Sequence, residues 1–292
     1  MSQKNLKNIA ASVRQKILNK ARRENIRFSA LLQYYAMERF LYRLAISEHS
    51  NKFILKGALL LRAWGLEKYR PTMDIDLLGL STNNAEKIIM QIADICSQSV
   101  LDDGLSFDIN SVKSEQITEG ADYIGSRILF SGKLDTIKIK MQIDIGFGDS
   151  VFPKPIQCSL PEVIDFPSAD LMCYQPETTI AEKFNAMVKL DMANSRMKDF
   201  YDIWLIMREL NIDKKALVRA VRETFDQRNT TIPPLKEIVA FTPLFYNDKN
   251  KNIQWKAFLR KKLIAQTEIT LKEVCNEISE QLKYLIEALK KC

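Results

Sequence analysis

Histidine is almost absent from this chain, and cysteine is scattered. The one histidine is His49, and the five cysteines (Cys96, Cys158, Cys173, Cys275 and Cys292) include no C-x-x-C pair. That inventory argues against a zinc cluster and against mechanisms built on Ser-His or Cys-His pairs. His49 lies in Ser47-Glu48-His49-Ser50, which reads as a helix end, and we expect it at the surface. An odd number of widely spaced cysteines fits a reducing, cytoplasmic setting. Long apolar runs are missing too. Runs such as Ala58–Leu61 fall far short of the roughly 18 residues that a membrane span needs. The first 30 residues show no apolar segment of the secretory kind, so neither a membrane span nor a signal peptide is expected. There is no internal repeat and no low-complexity tract.

What is present is a chain of 292 residues, 46% apolar and 27% charged, enough for one large domain or two smaller ones with a real core. Net charge is +7, and acid is scarce at the front. Residues 1–30 hold Lys4, Lys7, Arg14, Lys16, Lys20, Arg22, Arg23 and Arg27 against Glu24 alone. Such a balance suits a polyanion, nucleic acid first, or simply a solvated helix face.

Helical periodicity marks residues 8–24 and 28–46. Phe53-Ile54-Leu55 reads as a short buried strand, Ala58–Trp64 as a short helix opened by Gly57 and closed by Gly65, and Met73–Leu78 as a strand. Asn83–Gln98 returns to helix. Strands follow at Leu105–Val112, Tyr123–Phe130 and Thr136–Ile145, with Gly132-Lys133 as the expected hairpin turn. Five of the nine prolines fall within residues 151–176, which marks a boundary or a long extended connection. Beyond it come helices at Thr179–Leu190 (Thr179 and Glu182 as a capping box), Ser195–Leu210, Ala216–Phe225, Ile253–Ala265 and Leu271–Leu289. Strands and helices do not alternate strictly, so we expect an α+β fold rather than a doubly wound sheet. The expected domains are residues 1–165 and an all-helical lobe at 166–292.

Three carboxylates draw attention. In a strand, residues i and i+2 share a face, so Asp74 and Asp76 point one way while Ile75 and Leu77 point the other. Two like charges so close raise each other's pKa unless something positive lies between them. Mg²⁺ is suited to that place, because it prefers hard oxygen ligands and leaves positions open for phosphate oxygens. Gly57 sits between strand and helix, where a backbone without Cβ lets N–H groups approach a phosphate. Farther on, Lys138, Lys140, Gln142 and Asp144 alternate with Ile137, Ile139, Met141 and Ile143. Asp144 is thus a candidate third metal ligand from a paired strand.

In the helical half, Lys183 falls on the apolar face formed by Ile180, Phe184 and Met187. It is either a snorkelling side chain or a lysine aimed at a triphosphate. Asp199 borders the apolar face of the next helix, while Asp202 points about 60° farther out, at 100° per residue. Asp202 is expected to pair with Lys198 four residues earlier.

Glycine, then D-x-D, then an acid on a later strand is the plan of the nucleotidyltransferase superfamily, although its usual Gly-Ser is Gly57-Ala58 here. The ordered set Lys56-Gly57, Arg70-Pro-Thr72-Met-Asp74-Ile-Asp76-Leu, Gln142-Ile-Asp144, Glu177-Thr-Thr-Ile-Ala-Glu182-Lys183-Phe and Arg196-Met-Lys198-Asp199-Phe-Tyr-Asp202 resembles the AbiEii/AbiGii toxins, with the MenT toxins among them. The resemblance covers roughly residues 28–210. It implies a nucleotidyltransferase-like mixed-sheet core with N-terminal helices and a helical C-terminal lobe, and an NTP bound with Mg²⁺. Asp74, Asp76, Lys183 and Asp199 would be the catalytic set, with Asp74 and Asp76 on the metal; the strand pattern, more than the resemblance, adds Asp144 to it. Lys56, Gly57, Ala58, Arg62, Thr72 and Lys183 would contact the nucleotide. The resemblance also implies transfer of a nucleotide to an RNA, with the 3′ end of tRNA as acceptor, and a cognate antitoxin as partner. In some members that antitoxin phosphorylates the position matching Thr72. The alternatives are a binding module that kept the fold and lost the chemistry, its basic N-terminus carrying the contacts, and a transferase with a non-RNA acceptor.

Overall fold

A computed structural model describes residues 3–66, 70–81, 83–119, 123–261 and 269–290. The far end of the helix expected to reach Ala265, Cys292, and the side chains of Lys4 and Lys7 lie outside the described residues. The architecture is α+β: a mixed sheet with N-terminal helices, followed by an all-helical region. Contacts divide the chain into two units. The first comprises Met1–Ala63, Pro71–Gly148 and Gln157–Cys173, and the second Trp64–Arg70, Asp149–Ile156 and Tyr174–Cys292.

The first unit opens with α1 (Gln3–Arg23) and α2 (Phe28–Ile46). Then come β1 (Phe53–Lys56), the single-turn α3 (Leu59–Ala63), β2 (Ile75–Gly79) and α4 (Ala85–Cys96). Three long strands follow, β3 (Leu105–Glu119), β4 (Tyr123–Leu134) and β5 (Ile137–Phe147), and then β6 (Ile156–Ser159) and β7 (Asp170–Cys173). The seven strands form one sheet in the order β3-β4-β5-β2-β1-β7-β6. β2 is the pivot, antiparallel to β1 and parallel to β5.

Alternation puts Ile128, Phe130, Ile139, Met141 and Ile143 in the core, with Phe40 of α2 packing on Phe130 at 5.5 Å between ring centroids. α1 belongs to this core through Val13, Ile17 and Ala21. Deleting residues 1–27 would therefore remove packing as well as charge. α2 is fastened by Asp103, whose carboxylate accepts from Arg43 at 2.7 and 3.1 Å and from Arg39 at 3.3 Å, all three buried.

Several local expectations are corrected. The hairpin turn is Asp135-Thr136, not Gly132-Lys133, because Leu134 pairs with Ile137 and Asp135 takes the positive φ of 54°. β3 runs to Glu119, seven residues beyond the expected Val112, and a register shift between Asp108 and Lys113 interrupts its alternation. The proline-rich stretch is not merely a connection. It contains β6 and β7, and β7 pairs parallel to β1 through Leu55 and Cys173. Cys158 and Cys173, six ångströms apart in Cα (6.1 Å), are joined in a disulfide. The scattered cysteines gave no sign of this link, which closes a 15-residue separation.

The second unit holds α5 (Pro176–Leu190), α6 (Met197–Glu209), α7 (Lys214–Gln227), the short α8 (Pro243–Tyr246), α9 (Lys249–Lys261) and α10 (Leu271–Lys290). α5 starts at Pro176 with Gln175 as N-cap, so Thr179 and Glu182 do not form a capping box; Pro at the first helical position supplies the start signal instead. Leu271, Val274, Cys275, Ile278, Leu282 and Leu285 form the buried stripe of α10. The aromatic core joins Phe184 to Phe225 and Phe200 to Phe245 at 5.5 and 5.3 Å. No described helix is long and apolar enough to cross a membrane.

Candidate functional site

In the first unit the sheet register gathers the three aspartates. β2 and β5 run parallel with Asp76 opposite Asp144, and Asp74 sits just before β2 begins at Ile75. The expected strand start at Met73 is thus two residues early. One oxygen from each of Asp74, Asp76 and Asp144 lies within 4.8 Å of the others, and all three residues are half-buried. Three carboxylates in so small a space repel one another unless positive groups or hydrogen-bond donors stand beside them. Arg127 of β4, directly opposite Asp144, donates from Nε and Nη2 to both of its oxygens at 2.8 Å. Gln142 Nε2 adds a hydrogen bond at 3.2 Å to Asp144 Oδ1. The bond to Asp144 raises the Arg127 pKa, with the nearby Asp74 and Glu115 charges adding to it.

The segment carrying Asp74 is held from behind by α2. Gln33 Nε2 donates to the carbonyls of Met73 at 3.3 Å and Lys140 at 3.0 Å, tying the approach to β2 onto β5. The Thr72 N–H donates to the Tyr34 hydroxyl at 3.0 Å, and the Thr72 hydroxyl donates to Asp74 Oδ1. Thr72 is 4% exposed.

Gly57 has a more immediate reason than phosphate approach. Its φ is +77°, and a Cβ there would stand 1.9 Å from Asp76 Oδ2. The glycine makes room for the aspartate. Lys56 is buried on β1 in register with Asp76, and Ala58 is buried beside it. The Arg62 guanidinium lies over the Tyr34 ring at 4.6 Å.

A second charged group lies in the helical unit. Lys183 Nζ is 2.8 Å from Asp199 Oδ1 and 2.8 Å from Asp202 Oδ2. Arg70 grips Asp202 from Nε and Nη2 at 2.8 and 2.9 Å, and Arg196 Nε lies 2.6 Å from Asp199 Oδ2. The side chains of both aspartates are 0% exposed, and that of Lys183 is 12% exposed. Burial alone would protonate the acids and deprotonate the lysine, but their proximity prevails. Lys183, with Arg196 and Lys198, holds the Asp199 carboxyl down at about 2; Arg70 and Lys183 likewise lower Asp202. Against its burial, Asp199 and Asp202 raise the pKa of Lys183. Asp202 is therefore not the outward residue expected to pair with Lys198. α6 is buried on nearly every side, by Tyr201, Trp204 and Leu205 as well as by Phe200 and Ile203, so its polar edge is interior.

His49 is also buried rather than at the surface, at 5% exposure. Its Nδ1 is 2.8 Å from Lys52 Nζ and its Nε2 is 2.8 Å from Asp94 Oδ2. An ammonium can only donate, so Nδ1 accepts and Nε2–H faces Asp94. With both nitrogens engaged, the Glu48–His49–Asp94 cluster reads as a brace between the end of α2 and α4.

A family model described as nucleotidyl transferase AbiEii toxin, type IV toxin–antitoxin system, matches residues 39–278. No curated protein matches the chain. Two crystal structures from Helicobacter pylori share its fold. JHP933 aligns at 12% identity and a TM-score of 0.50, over 90% of this chain and 94% of its own. A candidate nucleotidyltransferase aligns at 13% identity and a TM-score of 0.51, over 90% of this chain and 96% of its own.

Proposed function

Because the chain belongs to the AbiEii family of nucleotidyl transferase toxins of type IV toxin–antitoxin systems, we propose that it moves a nucleoside monophosphate from an NTP to an RNA, with the 3′ end of tRNA as the acceptor and Mg²⁺ as the metal. The observation that carries this reading is the meeting of Asp74, Asp76 and Asp144, oxygens within 4.8 Å, on a parallel strand pair and its approach. The donor set fits a hard divalent cation: oxygens only, and half-buried. Bound there, a divalent ion would neutralise triphosphate charge and help activate the attacking hydroxyl. Asp74 and Asp76 would be its principal ligands. Asp144, braced by Arg127 and Gln142, would be the third.

Lys183 would meet the triphosphate with an ammonium that stays protonated. We assign Asp199 and Asp202 the positioning of Lys183, since neither side chain reaches solvent. Lys56, Gly57, Ala58, Arg62 and Thr72 would line the nucleotide's approach to the carboxylates. A phosphoryl group on Thr72 would remove the hydroxyl proton that Asp74 accepts and add negative charge beside three acids. A cognate antitoxin using that chemistry would silence the site directly.

The test is incubation of the purified protein with total tRNA, Mg²⁺ and each α-labelled NTP in turn, beside Asp76→Ala. Label on RNA with wild type alone is the expected result. Label that persists in Asp76→Ala, or no label with any NTP, would overturn the proposal.

A further inference from the structure

The sheet face that carries Asp144 continues away from the carboxylates as a basic strip. Register defines it. On β5, Lys138, Lys140, Gln142 and Asp144 share the face, and opposite them on β4 stand Lys133, Ser131, Leu129 and Arg127. β3 adds Lys113 beside Leu129. Lys113, Lys133, Lys138 and Lys140 are exposed, and none forms an ion pair with a described residue. The other face of β5 is buried through Ile139, Met141 and Ile143, so these lysines cannot turn inward. Lys133 and Lys138 are direct cross-strand partners, an arrangement that is destabilising for two like charges. No ion pair joins a nearby acid to these lysines among the described residues: Asp135 at the turn is taken by Arg14, Glu115 stands opposite Arg127, and Asp108, opposite Ser131 on the same face, accepts from the Asn110 N–H.

From Lys138 to Asp144 the strand covers about 20 Å, with same-face side chains about 6.6 Å apart. A row of like charges that ends at three carboxylates suits a ligand with negative charge along its length and a reacting group at its tip. We propose that this face of β3, β4 and β5 is the track for the RNA acceptor, with the sugar-phosphate backbone along the lysines and the 3′ hydroxyl directed to Asp74, Asp76 and Asp144. This rests on the reading that the carboxylates are the transfer site. It deepens that reading by assigning the acceptor side to one surface. The charge is along the backbone and no aromatic side chain stands in the strip, so the track reads phosphate and not base.

The experiment is equilibrium binding of a short, 5′-fluorescein-labelled single-stranded RNA to the full chain, followed by anisotropy over a salt series without NTP or divalent cation. The proteins are wild type, the triple variant Lys133→Gln/Lys138→Gln/Lys140→Gln, Asp76→Ala, and the double variant Lys16→Gln/Arg22→Gln on the exposed side of α1 as a charge control. Losing three phosphate contacts should lower the log–log salt slope by about 2 and weaken binding on the order of a hundredfold at about 0.1 M salt. Thermal melts should not change. Equal loss in the α1 double variant, or an unchanged salt slope in the triple variant, would overturn the track. So would displacement of the RNA by polyglutamate at equal charge concentration, which would mark the strip as a surface for acidic protein. Asp76→Ala, which removes a negative charge and no phosphate contact, should not weaken RNA binding, and a loss as large as the triple variant's would overturn the track. If wild type fails to label any RNA while the triple variant still loses binding, the transfer reading fails and the RNA surface stands.

Discussion

Replacing Gly57 with alanine tests whether the carboxylate cluster is as crowded as it looks. Two costs follow from the geometry. The backbone at φ +77° is one that side-chain-bearing residues avoid, at about 1–2 kcal/mol. The new methyl would also sit 1.9 Å from Asp76 Oδ2 and 2.6 Å from its Cγ, so the carboxylate must swing away. Gly148 separates the two costs. It has the same φ of +77°, with nothing within 4 Å of an added Cβ. Gly148→Ala should lower the melting temperature by a few degrees, at about 2–4 °C per kcal/mol for a unit of this size, and leave metal binding alone. Gly57→Ala should carry that loss and also weaken Mn²⁺ binding, titrated by electron paramagnetic resonance, by about tenfold or more, equivalent to about 1.4 kcal/mol. Equal Mn²⁺ affinity in the two variants would refute the reasoning. Either Asp76 would not be a ligand, or its carboxylate would not be fixed against Gly57.

Other outcomes follow from the buried charges and the disulfide. Asp202→Ala leaves Arg70 and Lys183 without their shared carboxylate and should destabilise the protein by about 3–5 kcal/mol in urea; a loss under about 1 kcal/mol would contradict the ion-pair assignment. For Asp199, a folded pKa of about 2 against an ordinary 3.8 means that the unfolded chain binds the proton more readily. Its contribution, about 2 kcal/mol, is present above pH 4 and lost as pH falls through 2. The advantage of wild type over Asp199→Asn should therefore shrink over that range, and a constant gap would contradict the pairing. Reduction of Cys158–Cys173 releases a 15-residue loop and should cost about 3 kcal/mol; melting with and without dithiothreitol measures it.

Much of the fold was legible because its elements are locally patterned. α2 falls on residues 28–46 as its apolar stripe indicates, and β5 follows its alternation. Asp76 and Asp144 could be named together because period-two alternation fixes which way each points, whereas Asp74 joins them from just outside β2. That Asp76 and Asp144 come to lie opposite each other is a matter of register, which alternation leaves open. The same limit hid Arg127. It was in plain sight on a strand, but only pairing makes it the partner of Asp144. Asp202 was misplaced for another reason. A helical wheel assumes one wet side, and α6 has almost none. Arg70, its partner, is 132 residues away in sequence, with nothing local to announce the pair. β6 and β7 were missed because prolines flank strands only four residues long, and their place beside β1 is a long-range fact.

The parallel pairing of β2 with β5 has a consequence in time. Asp144 lies beyond α4 and the β3–β4 hairpin, so the acid trio cannot form while the chain is still being synthesised through those elements. Pairings across such a span pay their loop entropy before they gain contact energy, and they close late. A nascent chain that has displayed Asp74 and Asp76 lacks the third carboxylate beside them until β5 docks.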